Sequence, residues 1–221
     1  MAIEAKSSDS VSVVYVVGSG RSGTTLLDTI LSNHPRFYGA GELALLAVDN
    51  LFHRFYCPCG RPIDQCIFWC SVVQEWFQRT GLRNLEEHAR ARQIFEGPRL
   101  HGLPRLLQEK LHRSRKFTEY AKQTVELYRA IRHVSGREVI VDSSVIPMRA
   151  LALSMMPEID LRLIHLVRDG RGVAWSLKRG LREAPKAGDL HHRSATPCLE
   201  IRADLGRVQP CLKLGLPPDR R

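Results

Sequence analysis

Val11-Ser12-Val13-Val14-Tyr15-Val16-Val17-Gly18-Ser19-Gly20-Arg21-Ser22-Gly23-Thr24-Thr25-Leu26-Leu27 joins three kinds of sequence without a gap. The first seven residues are apolar and β-branched almost throughout, as expected of a strand covered on both faces in a parallel sheet. A glycine-rich turn follows, and then Leu26, Leu27, Ile30 and Leu31 recur at helical spacing. Glycine admits φ > 0 and lets backbone N–H groups approach an anion closely. A helix beginning near Ser22 adds unpaired N–H donors and the positive end of its dipole. Strand, loop and helix together form an anion cradle. A purely structural turn at a strand–helix junction is the blander alternative.

Two further segments read as strands. Glu138-Val139-Ile140-Val141 is short and apolar, and Leu161 to Val167 is the third. Each precedes polar or glycine-rich residues and a helical pattern, the mark of βαβ units around a parallel sheet. A second helix is expected over Glu42 to Phe55. The stretch from Val72 to His133 is predominantly helical, with Phe117, Tyr120, Ala121, Thr124, Leu127, Tyr128 and Ile131 on one face. Gly97, Pro98, Gly102 and Pro104 divide it into two pieces. Another helix runs from Ala150 to Met156 and stops at Pro157. The fold class is therefore α/β, with a central parallel sheet and a helical insertion at 72–135. From Gly180 to Arg221 no period lasts, and Pro185, Pro197, Pro210, Pro217 and Pro218 interrupt the chain. We divide the 221 residues into a domain over 1–179 and an irregular, divergent or truncated tail over 180–221.

Lys and Arg number 33 against 23 Asp and Glu, a formal charge of +10 that favours anionic ligands without choosing among them. The basic residues are scattered rather than interleaved with aromatics on one face, which argues against nucleic acid. No apolar run spans a bilayer, and Met1 to Ser10 carries no signal-like apolar core. A cytoplasmic location is the expectation. Four of the six cysteines, Cys57, Cys59, Cys66 and Cys70, lie close together. Four thiolates can hold structural Zn²⁺, but the spacing is not a common zinc pattern, and free or locally paired thiols fit equally. No metal ligand is assigned.

The spacing Gly18-x-x-x-x-Gly23 opens like a Walker A loop, yet Thr24 and Thr25 stand where that loop has Lys. A nucleoside triphosphatase uses that Lys on the β- and γ-phosphates. Its replacement points to a shorter anionic chain, such as a phosphate bearing one sulfuryl group, with Arg21 supplying charge. The second basic segment, Leu166-Val167-Arg168-Asp169-Gly170-Arg171-Gly172-Val173-Ala174-Trp175-Ser176, begins where the third strand ends. Arg168 would then share the sheet edge at which open α/β folds bind ligands. With Ser176 from the following helix, it suits a phosphate monoester.

These two segments resemble the motifs of the sulfotransferases that use 3'-phosphoadenosine 5'-phosphosulfate (PAPS). Leu31-Ser32-Asn33-His34-Pro35 to Gly41-Glu42 resembles the branch containing tyrosylprotein sulfotransferases and bacterial relatives. The resemblance covers roughly Ser10 to Arg179 and implies a P-loop-like three-layer sandwich. It further implies that Arg21, Ser22, Gly23, Thr24 and Thr25 hold the 5'-phosphosulfate, and that Arg168 and Ser176 hold the 3'-phosphate. Glu42 falls at the branch's catalytic base. Asp142-Ser143-Ser144 resembles another active-site segment, with Ser143 or Ser144 reaching the sulfuryl oxygens. The chain departs from the family after the second motif, and Gly180 stands where the tyrosylprotein branch has a further Arg.

Sulfuryl transfer resembles phosphoryl transfer, an in-line displacement governed by positioning and by stabilising the leaving phosphate. Arg21 and the loop amides suit that role without a metal. The acceptor, a hydroxyl or an amine, needs a general base, for which Glu42 is the first choice. Glu42 also reads as a first-turn helix residue favoured by the dipole. His34 reads as a capping residue and His165 as a core residue of the third strand. The competing functions are a P-loop phosphotransferase or kinase, with Asp142 after its strand as a Mg²⁺ ligand, and an inactive nucleotide-binding fragment.

Overall fold

The computed structural model describes residues 10–46, 57–97 and 102–178. The expected tail at 180–221 lies outside the described residues. At the centre stands β1 (Val11–Gly18), paired in parallel with β3 (Val139–Val145) on one side and β4 (Ile159–Leu166) on the other. A fourth strand, β2 (Phe37–Gly39), pairs in parallel with β3, giving the order β2-β3-β1-β4. All four strands therefore present their carboxyl ends at one edge. Their alternating side chains feed two cores. Val14, Val16, Val139 and Val141 meet Leu27 and Leu31 of helix α1 (Thr24–Ser32) on one face. Val11, Val13, Tyr15 and Ile140 meet the helical layer on the other.

Among the described residues that layer holds four helices between β2 and β3, where the sequence suggests two pieces: α2 (Ile67–Thr80), α3 (Leu85–Glu96), α4 (Leu103–Leu111) and α5 (Arg115–Ser135). The additional breaks have local causes. Gly81 ends α2 at φ 74, and the Asn84 side chain caps α3 by accepting from the Glu87 amide at 3.0 Å. Ser114 caps α5 through the Phe117 amide at 3.1 Å, and Glu109 holds Ser114 in turn at 2.7 Å. The seven residues assigned to the inner face of α5 are all buried. Helix α6 (Pro147–Ser154) starts three residues before the expected Ala150, because Pro147 suits a first-turn position. Helix α7 (Gly170–Lys178) follows β4.

Three expectations change. The helix proposed for Glu42 to Phe55 is, within the described residues, a single 3₁₀ turn over Leu43–Leu45, and residues 47–56 lie outside them. β2 has no sequence signature, because three residues ending in glycine carry no period. Gly39 is needed there, since a Cβ would lie 2.0 Å from Ser32 Oγ and 2.9 Å from Asp28 Oδ2 of α1. His165 is exposed rather than buried, because β4 forms an edge of the described sheet.

Candidate active site

The turn from β1 into α1 sits at the carboxyl edge of the sheet. Gly18 pairs with Leu166 of β4, and a Cβ on Gly18 would meet the Leu166 carbonyl oxygen at 2.5 Å. Arg21 adopts φ 67 and Gly23 φ 98, so two left-handed residues bend the chain around the start of the helix. The helix itself begins at Thr24, two residues later than expected, with Gly23 at its cap and no capping side chain. Its first backbone bond runs from the Leu27 amide to the Gly23 carbonyl at 3.0 Å. The amides of Thr24, Thr25 and Leu26 precede that bond and form the donor end of the dipole.

The second basic segment comes to the same place. Arg168 follows β4, and its Nη1 donates to the Arg21 carbonyl at 2.9 Å. Its guanidinium also lies over Gly172 in the first turn of α7, where a Cβ would meet Arg168 Nε at 2.9 Å. Asp169 orders the start of α7 by accepting from the Arg171 amide at 3.3 Å and pairing with the Arg171 side chain at 3.1 Å. Ser176 is half-buried in the second turn of that helix.

Glu42 reaches the edge from the β2 side. The Ala40 amide donates to the Val141 carbonyl at 2.8 Å, Ser143 N–H to the Gly41 carbonyl at 2.9 Å, and Ala44 N–H to Ser144 Oγ at 2.9 Å. These bonds fasten the Glu42 turn across the end of β3, with Gly41 at φ 66 making the bend. As a residue Glu42 is exposed, yet enough protein surrounds its carboxyl that desolvation, and then the Asp142 charge, raise its pKa above the ordinary value.

Asp142-Ser143-Ser144 lies inside β3 rather than after it. Strand alternation therefore sends Ser143 toward the α1 face and Asp142 and Ser144 toward the helical layer. Ser144 Oγ bonds the Asp142 carboxylate and accepts from Ala44, which commits it to structure and leaves Ser143, buried on the α1 face at 3% exposure, as the other candidate serine. Asp142 is fully buried. Its Oδ2 accepts from Tyr128 at 2.6 Å and Arg149 Nε at 3.0 Å, and its Oδ1 from the Ser144 amide at 3.0 Å. Both oxygens are thus engaged, which argues against the Mg²⁺-ligand role that the sequence leaves open. Arg149 also donates to Glu96 at 2.6 Å and to the Tyr128 hydroxyl at 3.1 Å, and Tyr120 bonds Glu96. Burial pushes the Tyr128 phenol well above its ordinary range. This buried network, which sequence reasoning misses, braces β3 beneath the site. Its one signal is Arg149, a lone cation in the apolar run Met148 to Leu153.

A second group also escapes the sequence. Asp28 faces Gly39 from α1, one turn beyond the loop, and its Oδ1 is buried without a hydrogen-bond partner. Burial first, and the Asp142 charge second, push its pKa from 3.8 up to about 7. A carboxyl half-protonated near neutrality brings less negative charge to the start of α1 than an ordinary aspartate would. A turn at the β3 exit completes the edge. Val145 stands at φ 58, a costly conformation for a β-branched side chain, and the Tyr15 hydroxyl pins the following residue, Ile146, through both its carbonyl and its amide at 2.9 Å.

Three segments distant in sequence thus converge on one edge: amide donors with Arg21, the Arg168 guanidinium, and the Glu42 carboxyl. Among the described residues no helix is long and apolar enough to cross a membrane. No curated protein and no solved structure matches the chain. The family model described as the sulfotransferase family matches residues 13–203, from within β1 through both basic segments and past α7. On a match of that extent, laid over a parallel sheet whose glycine loop and arginine segment meet at its carboxyl edge, the chain belongs to the sulfotransferase family.

Proposed function

We propose that the chain transfers a sulfuryl group from PAPS to a hydroxyl or amine acceptor. The observation that carries this reading is the 2.9 Å bond from Arg168 to the Arg21 carbonyl, which brings the arginine segment against the glycine loop. In this reading Arg21, Ser22, Gly23, Thr24 and Thr25 hold the 5'-phosphosulfate, and Ser143 faces the sulfuryl oxygens. Arg168 and Ser176 take the 3'-phosphate. Glu42 accepts the acceptor's proton as its oxygen or nitrogen bonds to sulfur. The bond from sulfur to the 5'-phosphate oxygen breaks, its electron pair leaves with the phosphate, and the loop donors and Arg21 stabilise that charge. The raised pKa of Glu42 suits a base that must hold a proton for part of the cycle. Turnover should accordingly fall as pH drops through that raised value.

Calorimetric titration with 3',5'-bisphosphoadenosine, against ATP with Mg²⁺, tests the reading. Preferential binding of the bisphosphate is expected, and Arg168→Ala should weaken it by about 1.5–3 kcal/mol, the worth of a charge-assisted hydrogen bond. Equal affinity for adenosine 5'-phosphate with and without the 3'-phosphate would remove the roles given to Arg168 and Ser176. Preference for ATP with Mg²⁺ would return the phosphotransferase reading. A folded chain that binds the bisphosphate but turns over no acceptor would be a nucleotide-binding module.

A further inference from the structure

Away from the sheet edge, three cysteines come together at the start of α2. Cys57-Pro58-Cys59-Gly60 forms a tight turn, in which the Gly60 amide donates to the Cys57 carbonyl at 2.8 Å and Gly60 takes φ 82. The Cys57 amide then bonds the Arg61 carbonyl at 2.8 Å, closing the base of the turn. A 3₁₀ turn over Ile63–Gln65 carries the chain back to Cys66, the cap residue of α2. The outcome is a knuckle facing a helix N-terminus.

The sulfur atoms are spaced for a shared ion. Cys66 Sγ lies 3.4 Å from Cys57 Sγ and 3.7 Å from Cys59 Sγ, and all three atoms fall within 4.8 Å of one another. A tetrahedral Zn²⁺ with Zn–S bonds of about 2.3 Å sets its sulfurs about 3.8 Å apart. A disulfide needs about 2.05 Å. All three are thiols rather than halves of a disulfide. Cys57 and Cys66 are buried and Cys59 is half-buried, which leaves one sulfur on the solvent side as an entry path. Cys70, grouped with them in the sequence, stands apart from this trio: it is disulfide-bonded rather than a free thiol, and its Sγ lies 3.3 Å from the Asp64 carbonyl. Helix α2 also directs the positive end of its dipole at Cys66, which favours negative charge there.

We propose that Cys57, Cys59 and Cys66 form a structural site for one thiophilic divalent cation, Zn²⁺, whose fourth position is open to water. Binding replaces the thiol protons with the ion, and the protons pass to solvent. No oxidation or group transfer is involved. The site has a clear mechanical role. Cys57 and Cys66 belong to the main core together with Phe68 and Trp69, and Phe68 stacks on Tyr38 of β2 with ring centroids 4.6 Å apart. An ion here would clamp the knuckle and the first turn of α2 against the strand that leads into the Glu42 turn. The proposal stands apart from the donor and the acceptor of the reaction.

The full-length chain, purified under reducing conditions and stripped with a chelator, would be titrated with Co²⁺ and then with Zn²⁺. One ion per chain is expected, with a thiolate-to-cobalt charge-transfer band in the near ultraviolet that Zn²⁺ abolishes. Zn²⁺ at a hundredfold excess over its dissociation constant should raise the melting temperature by roughly 5–10 °C. Cys59→Ser should weaken the ion by at least about 100-fold, whereas Cys70→Ser should retain the charge-transfer band. Should either variant fail to fold, the wild-type titration decides alone. Absence of the band, absence of a thermal shift, or a disulfide among Cys57, Cys59 and Cys66 in the freshly isolated chain overturns the site. Loss of the ion in Cys70→Ser with its retention in Cys59→Ser overturns the ligand set.

Discussion

Asp28→Asn isolates the electrostatics of the site without touching a residue assigned to the donor. The wild-type carboxyl is walled in by α1 and β2, close to Gly39, and it ionises near 7 rather than 3.8 because burial and the Asp142 charge both oppose ionisation. An acid whose folded pKa lies above its unfolded one destabilises the fold once it is charged. Below about pH 4 both states hold the proton and nothing is lost. Between about 4 and about 7 the unfolded chain ionises first, so stability falls as pH rises, and above 7 the loss is constant. Taken at face value the displacement costs about 4 kcal/mol, and because the residue is only half-buried, solvent screening reduces this to roughly 2–4 kcal/mol. Asparagine keeps the shape and removes the charge. Urea unfolding of both chains at intervals from pH 4 to pH 8 gives a difference curve in which other titrating groups cancel. That difference should be near zero at pH 4 and should rise to roughly 2–4 kcal/mol in favour of the variant at pH 8. Parallel curves for the two chains across this range would refute the argument, since they would show that Asp28 ionises alike in both states.

Two other substitutions probe the frame around the site. Gly172→Ala places a methyl 2.9 Å from Arg168 Nε, and the flexible guanidinium must yield. Fold stability should hold or rise by about 0.5–1 kcal/mol, because alanine favours a helix over glycine. In the same variant the preference for 3',5'-bisphosphoadenosine over the 5'-monophosphate should drop about tenfold, about 1.4 kcal/mol. An unchanged ratio by calorimetry would show that Arg168 does not read the 3'-phosphate from this position. Arg149→Met preserves the bulk of the side chain but strips Asp142 and Glu96 of their shared cation. It should cost about 3–5 kcal/mol in urea unfolding at neutral pH, the usual penalty for stranding a buried charge. A loss below about 1 kcal/mol would show that the Arg149 ion pairs are not what holds this layer together.

Local chemistry makes part of this protein legible from its residues. The β-branched run at Val11 to Val17 can do little other than form a buried strand, and Gly18 to Gly23 can do little other than turn sharply into a helix. The strand at Leu161 to Leu166, the segment at Arg168 and the inner stripe of α5 are likewise written in periods and composition that act over a few residues. The glycine loop and the arginine segment are therefore visible in the amino-acid sequence, as is their order along the chain. Features without a local signature are misjudged there. β2 exists because β3 offers backbone partners and α1 leaves room only for glycine at position 39. Ser144 reads as no less available than Ser143, yet strand pairing sends it toward Asp142 and the Ala44 amide. His165 reads as a core residue, yet its burial depends on which strand ends the sheet.

Charge and metal chemistry are least accessible to sequence because both depend on distances through space. Asp28, Glu42 and Asp142 are separated by up to 114 positions in the chain, and only the folded sheet makes the charge on Asp142 felt at the other two carboxyls. Four clustered cysteines leave zinc, free thiols and local pairs equally open, and the packing of the knuckle on α2 separates three of them from the fourth. What the residues settle alone is the identity of each short segment, since propensity, glycine and charge act locally. Tertiary structure decides which segments meet, which side chains remain open to a ligand, and which carboxyls ionise late, because solvent exclusion and Coulomb interaction depend on three-dimensional neighbours rather than on neighbours in the chain.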